Sequence, residues 1–113
     1  MKILDSPITI PELKEFGQSI FGDMVKAVVD VEQNIIALYA DLHSDLEALL
    51  IEEGSKQENL WGINLYPDAE ADDFIEFDSM INLRPLQGNR SRGVDSADMR
   101  KAIIEVVDKW ITR

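Results

Sequence analysis

Apolar residues at Ile10, Leu13, Phe16 and Ile20 recur with the period of a helix, so TIPELKEFGQSIFG (9–22) reads as an amphipathic helix. Thr9 with Glu12 three residues on has the form of a capping box. Pro11 falls in the first turn, where its missing N–H costs little, and Gly22 marks the stop. The period then drops to two. In MVKAVVDVEQNIIALYADL (24–42), Val25, Ala27, Val29 and Val31 alternate with Lys26, Val28, Asp30 and Glu32. After the polar turn EQN, the return segment IIALYA is apolar on both faces, as an interior strand would be. The helical period returns in HSDLEALLIEEG (43–54), where Leu46, Leu49 and Leu50 form a stripe. Ser44 with Glu47 reads as a second capping box, and Gly54 as the stop. LWGINLYP (60–67) and DFIEFDSMINLRP (73–85) read as two further strands. SADMRKAIIEVVDKWIT (96–112) is a last helix with Met99, Ile103, Val106, Val107 and Trp110 on one face.

The expected order is therefore α-ββ-α-ββ-α, with helices near 10–21, 45–53 and 96–111. This pattern predicts one α+β domain over residues 1–113: a largely antiparallel four-stranded sheet in two layers, with the three helices on one side. Trp61 and Trp110 are expected in the core.

Composition narrows the chemistry. There is no cysteine, so disulfides, thiolate metal sites and cysteine nucleophiles are excluded. The longest purely apolar run, IIALYA, is far short of a membrane span, and MKILDSPI lacks the apolar core of a signal peptide. A soluble, cytoplasmic protein without a membrane partner is the expectation. The formal charge is −11, from 22 acidic and 11 basic residues. Such a surface repels long nucleic acid and disfavours a nuclease-like activity, because phosphate neutralisation dominates RNA and DNA contact.

Against this background, INLRPLQGNRSRG (81–93) stands out. Arg84, Arg90 and Arg92 fall within it, and no acidic residue lies between Asp78 and Asp95. Glycines at 88 and 93 permit tight turns, arginine presents a planar fork of donors, and the loop feeds the start of the last helix. Arg84, Asn89, Arg90, Ser91 and Arg92 are thus the candidate anion-accepting residues. The competing reading is that these arginines are internal ties to Glu76, Asp78 or Glu58. Glu76 and Asp78 fall on one face of the expected strand and could act as acid and base, or simply be solvated. Asn64 and Tyr66 share a face of their strand that could meet a cleft or water. His43 is the sole histidine. With Asp45 and Glu47 it could approach a metal, but those two acids suit the helix start, so neither a metal nor a cofactor is expected. The run DAEADD (68–73) lacks the spacing of a calcium loop and reads as a solvated turn.

The segments FGDMVKAVVDVE, LHSDLEALLIEEGS, LWGINLYP and FIEFDSMINLRPLQGNRSRGV together resemble a family of short uncharacterised prokaryotic proteins, a domain of unknown function. The resemblance spans nearly the whole chain. It implies one small domain and brings no activity, cofactor or catalytic residue with it. Two functional expectations follow from the residues themselves. One is a non-enzymatic binding or regulatory module for a small anionic ligand or a protein partner. The other is a small phosphoester- or nucleotide-processing enzyme, with the arginine loop holding phosphate and Glu76, Asp78 or His43 supplying the base. A cleft joining the loop to those three residues would favour the enzyme, and arginines splayed into solvent would count against it.

Overall fold

In the computed structural model, which describes residues 1–16 and 23–113 (Phe16 by its backbone alone), the chain follows the order β1 (Lys2–Ile3), β2 (Ile8–Thr9), α1 (Ile10–Phe16), β3 (Val25–Asp30), β4 (Ile35–Leu38), α2 (His43–Glu52), β5 (Leu60–Leu65), β6 (Ile75–Glu76), α3 (Ala97–Trp110) and β7 (Ile111–Thr112). The expected first helix ran on through residues 17–22, which lie outside the described residues. Its start is as the sequence implies. Thr9 N–H donates to Glu12 Oε1 at 3.2 Å and Glu12 N–H donates to Thr9 Oγ1 at 3.3 Å, a reciprocal capping box. Such a pair is missing from α2. That helix begins at His43, with Leu42 as its N-cap and no side-chain cap, so the Ser44–Glu47 box does not form.

The main sheet has five strands rather than four, in the order β1-β4-β3-β5-β6, with every neighbouring pair antiparallel. β1 went unread because two residues carry no period. A separate parallel pair, β2 with β7, ties the two ends of the described chain together.

Nor does the sheet carry its helices on one side. Alternation along β3, read through its register with β4 and β5, puts Ala27, Val29, Ile36, Leu38, Trp61 and Ile63 on one face. There they pack with Leu13 of α1 and Ile103, Val106 and Val107 of α3. The opposite face carries Val28, Ala37 and Leu60 under Leu46 and Leu50 of α2. Both faces are apolar, so both need cover, and the layers number three. Fully burying a leucine such as Leu46 contributes roughly 1.5–3 kcal/mol. Trp61 is buried at 4% exposure, as expected, whereas Trp110 is only partly covered. The Trp110 indole N–H reaches Asn34 O at 2.7 Å and pins the β3–β4 turn. That turn is braced from within by Asp30, whose Oδ1 accepts the N–H groups of Glu32 and Gln33.

The expected long fourth strand, 73–85, is the largest departure. β6 ends at Glu76, and the chain leaves the sheet through a 3-10 turn at Met80–Asn82. The pairing of Asn64 with Glu76 would set Gly62 opposite Asp78 if the strand continued. Instead the Asn82 side chain takes the place of that backbone. Gly62 N–H donates to Asn82 Oδ1 at 2.8 Å, and Asn82 Nδ2 donates to Gly62 O at 2.9 Å and to Arg92 O at 3.0 Å. One amide thus satisfies a strand edge and holds the start of the arginine loop's return. Gly62 is required there: a Cβ at this position would lie 2.6 Å from Ser79 Cβ. Apolar alternation across 75–83 mimicked a strand, while a side-chain amide satisfied the edge more locally.

Candidate functional site

The arginine loop is built around a two-way backbone bridge. Arg84 N–H donates to Asn89 O at 2.9 Å and Asn89 N–H donates to Arg84 O at 3.1 Å, closing a turn that Gly88 completes at φ 88°. The Arg84 guanidinium donates to Gln57 O at 2.6 Å and to Leu60 O, and it lies 4.2 Å from the centre of the Trp61 ring. Partial burial lowers its pKa, an effect opposed by the charge of Glu47. Asn89 is buried, and its Nδ2 is surrounded by the carbonyls of Asn82 (2.7 Å), Gly93 (2.8 Å) and Ser91 (3.0 Å). Its Oδ1 accepts Asp95 N–H at 2.8 Å.

Ser91 and the Arg90 backbone do hold an anion, and it is one of the chain's own. Ser91 Oγ donates to Asp95 Oδ1 at 2.6 Å, and Arg90 N–H donates to Asp95 Oδ2 at 2.8 Å. These two bonds hold the Asp95 carboxyl below its ordinary pKa. Ser96 next in line caps α3, its Oγ accepting Met99 N–H at 3.2 Å.

Arg92 turns the other way. Its Nε lies 2.9 Å from Asp78 Oδ1, with the Arg92 side chain still 57% exposed. Both residues line a cleft of about 320 Å³ on the α2 face of the sheet. The floor is a row of cross-strand neighbours, Lys26 on β3, Asn64 on β5 and Glu76 on β6, fixed by the registers of those strands. One wall is the start of α2 with His43 and Ser44, and the other is Asp78 with Arg92.

The polar groups of the cleft are held in place. Glu76 Oε1 accepts from Asn64 Nδ2 at 2.8 Å and from Tyr66 Oη at 3.0 Å, and Asn64 Nδ2 also reaches Asp78 O at 3.2 Å. The Tyr66 pKa is raised, first by burial and then by its bond to Glu76. His43 is buried, and its Nε2–H donates to Ile63 O at 2.8 Å, the tautomer that bond requires. Burial lowers the His43 pKa, Lys26 adds to the lowering, and the Ile63 carbonyl, Asp78 and the Asn64 side chain oppose it. The ring is therefore neutral at pH 7, with its single N–H spent on Ile63. Asn64 itself is 4% exposed, and its buried Oδ1 has no hydrogen-bond donor among the described residues.

A sequence model of a family described as protein of unknown function DUF5674 matches residues 2–110. The chain belongs to that family. Comparisons with curated proteins and with solved structures each found no match. Membership in DUF5674 accords with the resemblance carried by the quoted segments.

Of the residues singled out in the sequence, the fold brings His43, Asn64, Glu76, Asp78 and Arg92 to one cleft. Arg84, Asn89 and Ser91 are bonded within the loop and its supports, and Arg90 does not line the cleft. Among the described residues, no group of three or more histidines and carboxylates could hold a metal ion. No helix among them is long and apolar enough to cross a membrane. Lys26 was not foreseen as part of a site. Its signal is parity: it is a polar residue on the face of β3 opposite Val25 and Ala27, and in register with Asn64.

Proposed function

We propose that this DUF5674 protein is a small, non-enzymatic binding module whose ligand site is the cleft between the start of α2 and the Asp78–Arg92 pair. The observation that carries this reading is convergence. Five chain segments, separated in sequence, deliver Lys26, His43, Asn64, Glu76 with Asp78, and Arg92 to one concave surface. Convergent polar groups in a formed cleft are the usual shape of a small-molecule site, and about 320 Å³ suits a small ligand. The anion-accepting role expected of the loop narrows to Arg92, whose guanidinium remains half exposed. The acidic remainder of the chain discourages long polyanions. A cytoplasmic setting agrees with the lack of cysteine.

A second reading has one specific observation behind it. His43, kept neutral by burial, shares the cleft with Glu76 and Asp78, so a base and two carboxylates stand together as a small hydrolase would need. Its weakness is that the ring's one N–H and both carboxylates already have internal partners.

Thermal-shift screening with inorganic phosphate, nucleotides, carboxylates, amino acids and divalent cations tests the binding reading. A ligand at 100 times its dissociation constant adds about 2.7 kcal/mol of stability. The shift should vanish in Arg92→Ala and persist in Arg90→Ala. A shift that survives Arg92→Ala unchanged would place the ligand elsewhere.

A further inference from the structure

Building on the cleft as the ligand site, we infer that its ligand is a small zwitterion of the amino-acid type, with its carboxylate on Arg92 and its ammonium on Glu76. The charges in the cleft carry the argument. Lys26 and Arg92 are balanced by Glu76 and Asp78, and His43 is neutral at pH 7. A phosphate dianion entering this space meets two carboxylates, and a simple amine meets two cations, so each is opposed by half of the lining. A ligand that separates one positive and one negative charge is opposed by neither.

The polar ends are also distinct. At the acceptor end, Glu76 Oε1 is aligned by Asn64 Nδ2 and Tyr66 Oη. Glu76 itself is exposed where it lines the cleft, so an ammonium can reach its carboxylate. At the donor end stands Arg92, more than half exposed and oriented by Asp78 2.9 Å away, and its planar fork matches a carboxylate. The start of α2, which has no side-chain cap, lines the same cleft and adds a positive dipole end. The size agrees: at about 320 Å³ the cleft is at the lower end of ligand pockets.

Isothermal titration calorimetry on the full chain tests this with free L-amino acids as probes. N-acetylated amino acids, alkylamines, acetate, inorganic phosphate and AMP serve as comparisons. At least one free amino acid should bind, and its N-acetyl and decarboxylated forms should bind about 10-fold to 100-fold more weakly, the loss of one charged hydrogen-bonding end. Glu76→Gln keeps the shape and should weaken the amino acid by a similar factor while leaving the N-acetyl form unaffected. Arg92→Gln should weaken both. Arg90→Gln, outside the cleft, should change neither, and the melting temperature of each unliganded variant monitors folding. Binding of phosphate or AMP but of no amino acid, lost in Arg92→Gln, would overturn the zwitterion and leave the cleft reading standing. Equal affinity for free and N-acetylated forms, or no binding of any amino acid, would also overturn the zwitterion.

Discussion

The arginine loop and the cleft beside it are built from the same kinds of residue and end in opposite states. In the loop, most of the placed donors have met an acceptor of the same chain, the buried Arg84 Nε excepted: the Arg84 terminal nitrogens have the carbonyls of Gln57 and Leu60, Asn89 has three carbonyls, and Ser91 and the Arg90 N–H have Asp95. In the cleft, groups are held but not used up. Arg92 is ion-paired yet exposed, and Asn64 Oδ1 is buried without a donor among the described residues. Local abundance of donors therefore says little about binding. A stretch rich in arginine, asparagine and glycine is also what a chain needs to build an irregular loop whose backbone carbonyls must be satisfied without strands or helices. A site needs donors and acceptors that come from different elements and stay partly unspent.

The two loop asparagines carry the largest expected effects. Asn89→Ala removes the donor serving three carbonyls and the acceptor of Asp95 N–H, and should cost on the order of 3 kcal/mol or more in urea unfolding. Asn82→Ala strips both edge groups of Gly62 and should cost about 2–4 kcal/mol. A loss under ~1 kcal/mol for either would mean the loop is not an internally bonded scaffold. Arg84→Ala comes next, at about 1–3 kcal/mol, through two carbonyl bonds and the stacking on Trp61. Arg84→Lys should restore only part of this, because an ammonium cannot present the same fork.

The double variant Arg90→Ala with Arg92→Ala should be the mildest in stability. The Arg92–Asp78 pair is exposed on both sides, so its loss should fall within ~1 kcal/mol. A large destabilisation would make these arginines structural ties like Arg84. The smallest effect concerns pH. His43 has a lowered pKa in the folded chain, so it binds its proton less readily there than in the unfolded chain. Its contribution is therefore in place above the ordinary value of 6.5 and declines as pH falls below it. Stability measured from pH 7.5 to 5 should fall in the wild type and flatten in His43→Gln. An equal slope in both would show that His43 is not the group responsible.

Much of the fold was legible because it rests on long periodic segments. The β3–β4 hairpin, α2, β5 and α3 follow period 2 or 3.6 over enough residues for the pattern to decide. The second helical layer was also written in the chain. Val28 sits among alternating positions as an apolar residue on the supposedly polar face, and IIALYA is apolar on both. What hid were features without periodicity. β1 and the β2–β7 pair are two residues each, and their pairing is long-range. The exit of the chain at Asp78 depends on an Asn82 amide replacing a strand, which no local rule signals. At the site, Glu76, Asp78, His43 and Arg92 were identifiable as chemistry-bearing residues. Their convergence was not, since it depends on where α2 docks and on the register that aligns Lys26, Asn64 and Glu76.

Ligand recognition is proposed to belong to the cleft and not to the arginine loop. ¹H–¹⁵N correlation spectra recorded through an amino-acid titration test it directly, read at backbone amides and at the asparagine side-chain amides. Saturable shifts are expected at the Asn64 side chain and at the amides of His43, Ser44, Glu76 and Asp78, with Arg84, Asn89 and Arg90 unmoved. Shifts concentrated at Arg84, Asn89, Arg90 and Asp95, with the Asn64 side chain silent, would contradict it.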